Sequence, residues 1–328
     1  MFFSKSNDSG EGNPFLEFFE EDVVTPFPYN PEDYKAPGAA IGLGVFSTSG
    51  IIANLLLFCY ILWQKLYKNF ISSHFIAHIC ITNAVGLALL TPMLIYSFWY
   101  GDSPWILNNG MCRLQAFVTC SIWAVVHYMI LCIAGVHVLT FARIHYDQLF
   151  GLHPMHHCVL AWIVAFFLSL PCITNGHIVH YDPIMRTCIW GRSDASYKFL
   201  AYFIILGVFI PMVFVYYAYL RVLGILYHSP IVFQSIGLYK SRFLVYGFLF
   251  GTLYQVPFYV VTIYGTHKFS PSSLIPLISI SLCFMQIFLA PVLYGLSLIQ
   301  MKEEDMALTA RAHKPHNSYH PVNSGQNV

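Results

Sequence analysis

The sequence predicts an all-α membrane protein, a bundle of seven transmembrane helices. Three observations lead there. Seven long apolar stretches run through 328 residues. Each meets the ~20 residues that a helix needs to cross the ~30 Å hydrocarbon core. All 16 Lys and Arg and all 15 Asp and Glu fall in or next to the gaps between the stretches. An ionised side chain at mid-bilayer costs at least ~2.5 kcal/mol, so this exclusion of charge is what a lipid solvent imposes.

The stretches can be taken in order. The first, Ile41–Trp63, has no charge and is followed by Lys65 and Lys68. The second is Phe75–Phe98, closed by Asp102. The third, Leu114–Phe141, is bracketed by Arg113 and Arg143. The fourth is Val159–Val179 and contains Pro171. The fifth, Phe199–Leu223, carries charge only at its end, at Arg221, and the sixth, Phe243–Tyr264, follows Arg242. The seventh, Ser272–Ile299, stops before Lys302. Residues 1–40 are expected to be an acidic external tail, flexible up to about residue 38 because it is polar and proline-broken. Residues 41–300 form the transmembrane domain, and 301–328 a polar cytosolic tail. No cleavable signal peptide is expected, since Phe15–Phe19 is too short an apolar run. No internal repeat appears, which argues against inverted-repeat transporters.

Charge sets the expected orientation. Lys and Arg count 9 on the side of the C-terminus against 7 on the other, and the first loop, 63–73, has two Lys and no acid. The other side carries 11 acids. The N-terminus is therefore placed outside and the C-terminus in the cytosol, in a multi-pass protein of the plasma membrane. Asn7-Asp8-Ser9, the one glycosylation sequon, lies on the outer side.

Composition narrows the function. Only 9% of residues are charged and 57% are hydrophobic, where soluble domains average about 25% charged. A net charge of +1 gives no basic face for nucleic acid. No nucleophile–base set, phosphate loop or zinc-protease pattern appears, so enzyme activity has no support. His153, His156 and His157 sit together without a Cys or carboxylate pair, and no metal or cofactor is predicted. Of nine cysteines, only Cys112 and Cys188 fall in predicted external positions. An oxidising compartment lets them pair and tie the loop after helix four over the bundle; two free loop thiols are the alternative.

On these residues the chain resembles the rhodopsin-like family of G-protein-coupled receptors over about residues 41–300. Asn54 looks like the family's helix-one asparagine, and Trp105 like its first-external-loop tryptophan. Trp162 with Pro171 fits helix four, and Pro211 with Tyr219 fits the proline and switch tyrosine of helix five. Pro257 fits helix six, and Pro291-Val292-Leu293-Tyr294 fits the P-x-x-Y end of helix seven. The resemblance implies a receptor whose partners are the lipid bilayer, an extracellular ligand and a heterotrimeric G protein. A mid-helix proline removes a hydrogen bond and bends the helix. Pro211, Pro257 and Pro291 are expected to open a pocket, and Pro257 to act as the pivot of helix six.

The departures from the family pattern are equally specific. Its helix-two aspartate is Asn83 here, and its D/E-R-Y motif falls on Val136-His137-Val138. Its N-P-x-x-Y asparagine is Ala290, and the tryptophan of its C-W-x-P motif is Gln255. Every ionised member of the internal switch has gone. His137 stands where the family's arginine contacts the G protein. It is read either as a proton-sensitive version of that contact or as a hydrogen-bonded helix-end histidine.

The pocket is read by exclusion. Thr119 replaces the amine-pairing acid and Phe284 the retinal-binding lysine, so amines and retinal are disfavoured. The candidate lining is Gln115, Thr119, Trp123, Tyr202, Tyr254, Gln255, Phe258 and Phe284, with Tyr264 higher up. This is an aromatic, uncharged site suited to a small uncharged ligand. The acidic tail is read as a solvated disordered segment, with steering of a cationic peptide as the alternative. The expected function is G-protein signalling on binding an external ligand. A non-coupling decoy or trafficking partner is the alternative, and a transporter or channel ranks lower because few polar groups lie at the midplane.

Overall fold

The computed structural model describes residues 31–101, 109–142, 144, 146, 151–228, 237–270 and 273–312. Asn7 and Trp105 lie outside them. Among the described residues, seven helices are long and apolar enough to cross a membrane: α1 Pro37–Trp63, α2 Ser72–Tyr100, α3 Gly110–Ala142, α4 Pro154–Thr174, α5 Asp194–His228, α6 Phe243–Tyr264 and α7 Leu274–Glu303. They form one bundle around α3. In the most apolar window of α3, 72% of residues are buried, against 28% in α1, so α3 is the central post. The outward faces carry Val45, Leu56, Phe167, Phe214 and Phe250, all exposed. Apolar surface of that extent is stable only against lipid or another apolar partner.

Local chemistry sets the ends and breaks. Pro37 opens α1 at a first-turn position, where its missing N–H costs nothing. The helix thus starts four residues earlier than the apolar run. The segment before it is packed rather than loose: Tyr34 is 7% exposed, and Ala36 donates its N–H to Phe98 O at 2.7 Å. Gly101, at φ 72°, ends α2 in the left-handed conformation that glycine tolerates. His153 caps α4 by accepting the Met155 N–H at 3.3 Å, with Pro154 next in line. Ser193 does the same for α5, taking the Ser196 N–H at 3.1 Å.

Prolines divide three spans. Helix α4 restarts at Pro171 and ends at Thr174, not at the expected Val179. Helix α5 is α-helical over Asp194–Phe203, π-helical over Ile204–Phe209 and α-helical again over Ile210–His228, with Pro211 just past the π segment. Pro211 cannot donate to the ladder, and the wider π turn takes up the mismatch. In α6 the helix Gly237–Gly251 tightens to a 3-10 turn, Thr252–Gln255, and resumes at Val256 with Pro257 in its first turn. Pro291 lies inside an unbroken helix that runs from Leu274 to Ala312. Lys302 and the acids after it therefore continue that helix, and Lys302 Nζ donates to Gln64 Oε1 at 2.9 Å.

Where helix four was expected to continue, the chain makes a hairpin. Strands β1 (Val179–Asp182) and β2 (Thr187–Trp190) pair antiparallel, with Val179 opposite Trp190 and Asp182 opposite Thr187. The hairpin lies across one end of the bundle. A disulfide joins Cys188 in β2 to Cys112 near the start of α3, Cα to Cα 5.4 Å. Asp182 accepts the Met185 N–H at 2.8 Å and the hydroxyl of Thr266, past the end of α6. The Arg186 guanidinium sits over the Phe98 ring, 4.7 Å from its centre. Three separate elements thus hold the hairpin down.

Candidate functional site: a capped apolar cavity

Under the hairpin is a cavity. About 70 Å³ of it is open to the centres of water-sized molecules, several times the ~10–15 Å³ that one water requires. One wall is α2, through Gly86, Leu87, Leu90 and Leu94; the facing wall is α3, from Gln115 to Trp123. Helix α7 adds Cys283 and Phe284, α6 adds Phe258, and α5 adds Phe199. Val179, Ile189 and Trp190 of the hairpin form the roof. Gly86 permits the close approach of α2 to α3: a methyl there would sit 3.1 Å from the Ile122 side chain.

The polar content is small and mostly occupied. Gln115 Nε2 donates to Thr187 Oγ1 at 3.1 Å, linking α3 to the hairpin. The Thr119 hydroxyl donates to the Gln115 carbonyl at 2.9 Å, so its proton is used within the helix. Trp190 Nε1 is buried and has no partner among the described residues. Among the described residues, no Lys, Arg, Asp or Glu lines the cavity. A charged ligand would find no counter-charge there, whereas an apolar one with a polar group or two fits.

An aromatic cluster adjoins the cavity. Trp123 of α3 meets Phe258 and Tyr259 of α6 edge-on, at centroid distances of 5.0 and 5.7 Å. Trp190 meets Phe258 edge-on at 5.8 Å and lies parallel to Tyr259 at 6.2 Å. Each such pair adds about 0.5–1.5 kcal/mol beyond area burial. The cluster joins hairpin, α3 and α6 one residue beyond Pro257.

Of the residues expected to line the pocket, Gln115, Thr119, Trp123, Phe258 and Phe284 do so. Four do not. Tyr202 is 40% exposed, because the inward stripe of α5 is Ser196, Phe199, Leu200 and Phe203. Tyr254 is half-buried in the 3-10 turn and away from the cavity. Gln255 is buried one turn further from the hairpin than Phe258, and its Oε1 has no partner among the described residues. Tyr264 is 58% exposed beside Phe269 and Lys268. Trp190 and Tyr259 went unnoticed in the sequence. Trp190 carried one signal: it follows Cys188 by two, which on a strand puts both side chains on one face.

The expected switch residues form two groups. Asn54 Nδ2 donates to Gly50 O at 2.8 Å and to Ile287 O at 3.3 Å, while Asn83 Nδ2 donates to Asn54 Oδ1 at 3.3 Å. These bonds tie α1, α2 and α7 beside Pro291. At the end far from the hairpin, Phe248 of α6 lies between Tyr219 and Tyr294, stacked at 5.4 and 5.1 Å. His137 completes this layer: its Nδ1 is 3.4 Å from the Tyr219 hydroxyl and its ring 5.8 Å from Phe248. It is 6% exposed. One layer of rings from α3, α5, α6 and α7 thus closes that end. Pro211 and Pro257 mark the breaks in α5 and α6.

Outside the spans, burial raises the Tyr34 hydroxyl above its ordinary value, reinforced by Asp33 and Asp182 and opposed by Arg186. His180 is exposed on β1, yet the protein around its ring lowers its pKa from the ordinary value, with Asp182 opposing the shift and Arg192 adding to it.

No protein-family model matches the chain, and no curated protein matches it.

Proposed function

We propose that this chain is a plasma-membrane receptor that takes a small, uncharged, largely apolar ligand in the cavity under the hairpin and signals through a heterotrimeric G protein. In this reading the hairpin and the N-terminus face outside, in keeping with the Lys65–Lys68 loop at the opposite end. The observation that carries the reading is the Trp123–Phe258 contact, which puts a cavity wall one residue from Pro257. A ligand that presses on Phe258 biases the 3-10 joint at Thr252–Gln255, and the joint leads to Phe248 in the layer that closes the opposite end. Binding at one end is thus coupled to packing at the other by an element with two arrangements.

One observation favours a second reading, a seven-helix binder that does not couple. His137, at the position of the family's arginine, is buried against Tyr219 and Phe248. A G-protein dissociation assay with a panel of apolar, uncharged ligands separates the two. The first reading expects at least one ligand to activate, with the response lost in Phe258→Ala. Saturable binding of a ligand that dissociates no G-protein subtype supports the second.

A further inference from the structure

One polar group in the cavity lining is left unmatched. Trp190 of β2 forms part of the roof and is 7% exposed. Its indole Nε1 is buried and has no acceptor among the described residues. The neighbouring polar groups differ. Gln115 Nε2 donates to Thr187 Oγ1 at 3.1 Å, the Thr119 hydroxyl to Gln115 O at 2.9 Å, and the Cys283 thiol to Ser279 O at 3.5 Å. Of the residues that line the cavity, Trp190 is the one with a buried side-chain polar atom lacking a partner among the described residues. A buried Trp N–H ordinarily finds an acceptor, because leaving it dry and unpaired is costly. Tyr259, whose ring lies parallel to the indole at 6.2 Å, has a buried hydroxyl in the same condition.

The strand holds this donor in place. Val179 pairs with Trp190 across the hairpin, and the next residue, Gly191, donates its N–H to Ile178 O at 2.7 Å. Two residues before Trp190, Cys188 is bonded to Cys112 of α3. The backbone under the indole is therefore fixed over the cavity, and the ring sits against Phe258 and Tyr259.

We propose that Trp190 is the polar anchor of the cavity, and that the ligand is an uncharged apolar molecule whose carbonyl oxygen, of a ketone or an ester, accepts the indole N–H. A pure hydrocarbon leaves the donor unpaired. A carboxylate brings a charge that no cation among the described lining residues offsets. The nitrogen has almost no surface of its own, so the ligand oxygen meets it as the indole turns about its side-chain bonds. This rests on the cavity taking a ligand, as proposed above, and not on G-protein coupling.

The test uses the full chain in detergent, with its six tryptophans labelled with ¹⁵N. The probes are cyclohexyl phenyl ketone and cyclohexylphenylmethane, which differ by one oxygen, added at equal mole fractions of the detergent. Both are expected to raise the unfolding temperature saturably, the ketone with about fivefold higher affinity. One indole N–H signal, absent from Trp190→Phe, should move downfield with the ketone and not with the hydrocarbon. In Trp190→Phe the ketone should lose its advantage while the hydrocarbon still binds. If that variant does not fold, wild type decides: no indole N–H signal moving at ketone saturation overturns the proposal. Equal affinities for the two probes, or a ketone advantage that survives Trp190→Phe, overturn it too and leave the cavity as a ligand site. If neither probe stabilises the protein, the proposal and the ligand-binding reading fall together.

Discussion

The side-chain amide of Asn54 donates to the backbone carbonyl of Ile287, at 3.3 Å, across the α1–α7 boundary. Ile287 is four residues before Pro291, and Pro291 has no N–H to return to it. Asn54 therefore supplies the donor that the proline removed, and Asn83 holds Asn54 in place through its carbonyl oxygen. An unpaired carbonyl in a lipid-embedded bundle is costly, so the proline and the asparagine depend on each other.

This dependence predicts a non-additive pair. Asn54→Ala is expected to lower stability by about 1 kcal/mol in the native background. With Pro291→Ala the helix ladder supplies its own donor to Ile287, and the same Asn54 change should then cost measurably less. Thermal unfolding of the four proteins in one detergent gives the coupling. Equal costs in both backgrounds would mean that Asn54 acts only through α2.

Phe248 is the middle ring of the stack that closes the end opposite the hairpin. Phe248→Ala opens a cavity between Tyr219 and Tyr294 and should cost about 3 kcal/mol of stability. Under the receptor reading it also loosens the closed arrangement, so ligand-free G-protein dissociation should rise above wild type. Phe248→Leu, which keeps most of the volume, should be close to wild type in stability and show a smaller rise. Basal activity that stays at wild-type level in Phe248→Ala would separate this layer from signalling.

The sequence made some features legible and hid others, for physical reasons. Lipid forbids charge over a fixed length, so the seven spans were visible to within a few residues at most ends. Prolines marked the breaks in α4, α5 and α6, because the loss of an N–H is written in the residue itself. What replaced the lost bonds was not visible: a π segment before Pro211 and a 3-10 turn before Pro257 are responses of the backbone to its neighbours. That is why Tyr202 and Gln255 were expected in the cavity and are not there; their angular position depends on those local turns. The hairpin was missed because Val179 and its neighbours extend the apolar run of α4, and a short apolar run does not distinguish helix from strand. Phe248, Trp190 and Tyr259 looked like three among many aromatic residues until their partners from other helices were placed beside them.

His180 predicts a slightly acid-labile hairpin. Its ring is exposed on β1, so the downward push that the neighbouring protein gives its pKa is largely screened by solvent and the expected effect is small. The unfolded chain takes up the proton near pH 6.5. The unfolded state thus binds more protons below that point, and stability falls as the pH drops from 7 through the unfolded value toward the lower folded one. Asp182 opposes the shift but does not cancel it. Unfolding temperature measured from pH 7.5 to 5 should decline slightly more steeply in wild type than in His180→Asn. Parallel curves would assign the acid sensitivity to another group.

The cavity makes a prediction that also separates its wall from residues beyond it. Ala116 is 4% exposed and lines the cavity from α3, whereas Tyr202 is 40% exposed on the flank of α5. Ala116→Phe places a ring in open space rather than in packed core, so the protein should still fold. Its unfolding temperature without ligand should hold or rise, since filled space adds contacts. Ligand-induced stabilisation and signalling should both be lost, because the ring occupies the ligand's volume. Tyr202→Ala removes a side chain that does not line the cavity and should leave ligand affinity within a few-fold of wild type, that is, within about 1 kcal/mol. The two variants are compared by ligand-dependent thermal shift on purified protein, which reads binding whether or not a G protein couples. A ligand whose stabilising effect survives Ala116→Phe but disappears in Tyr202→Ala would move the binding site to the exposed flank of α5.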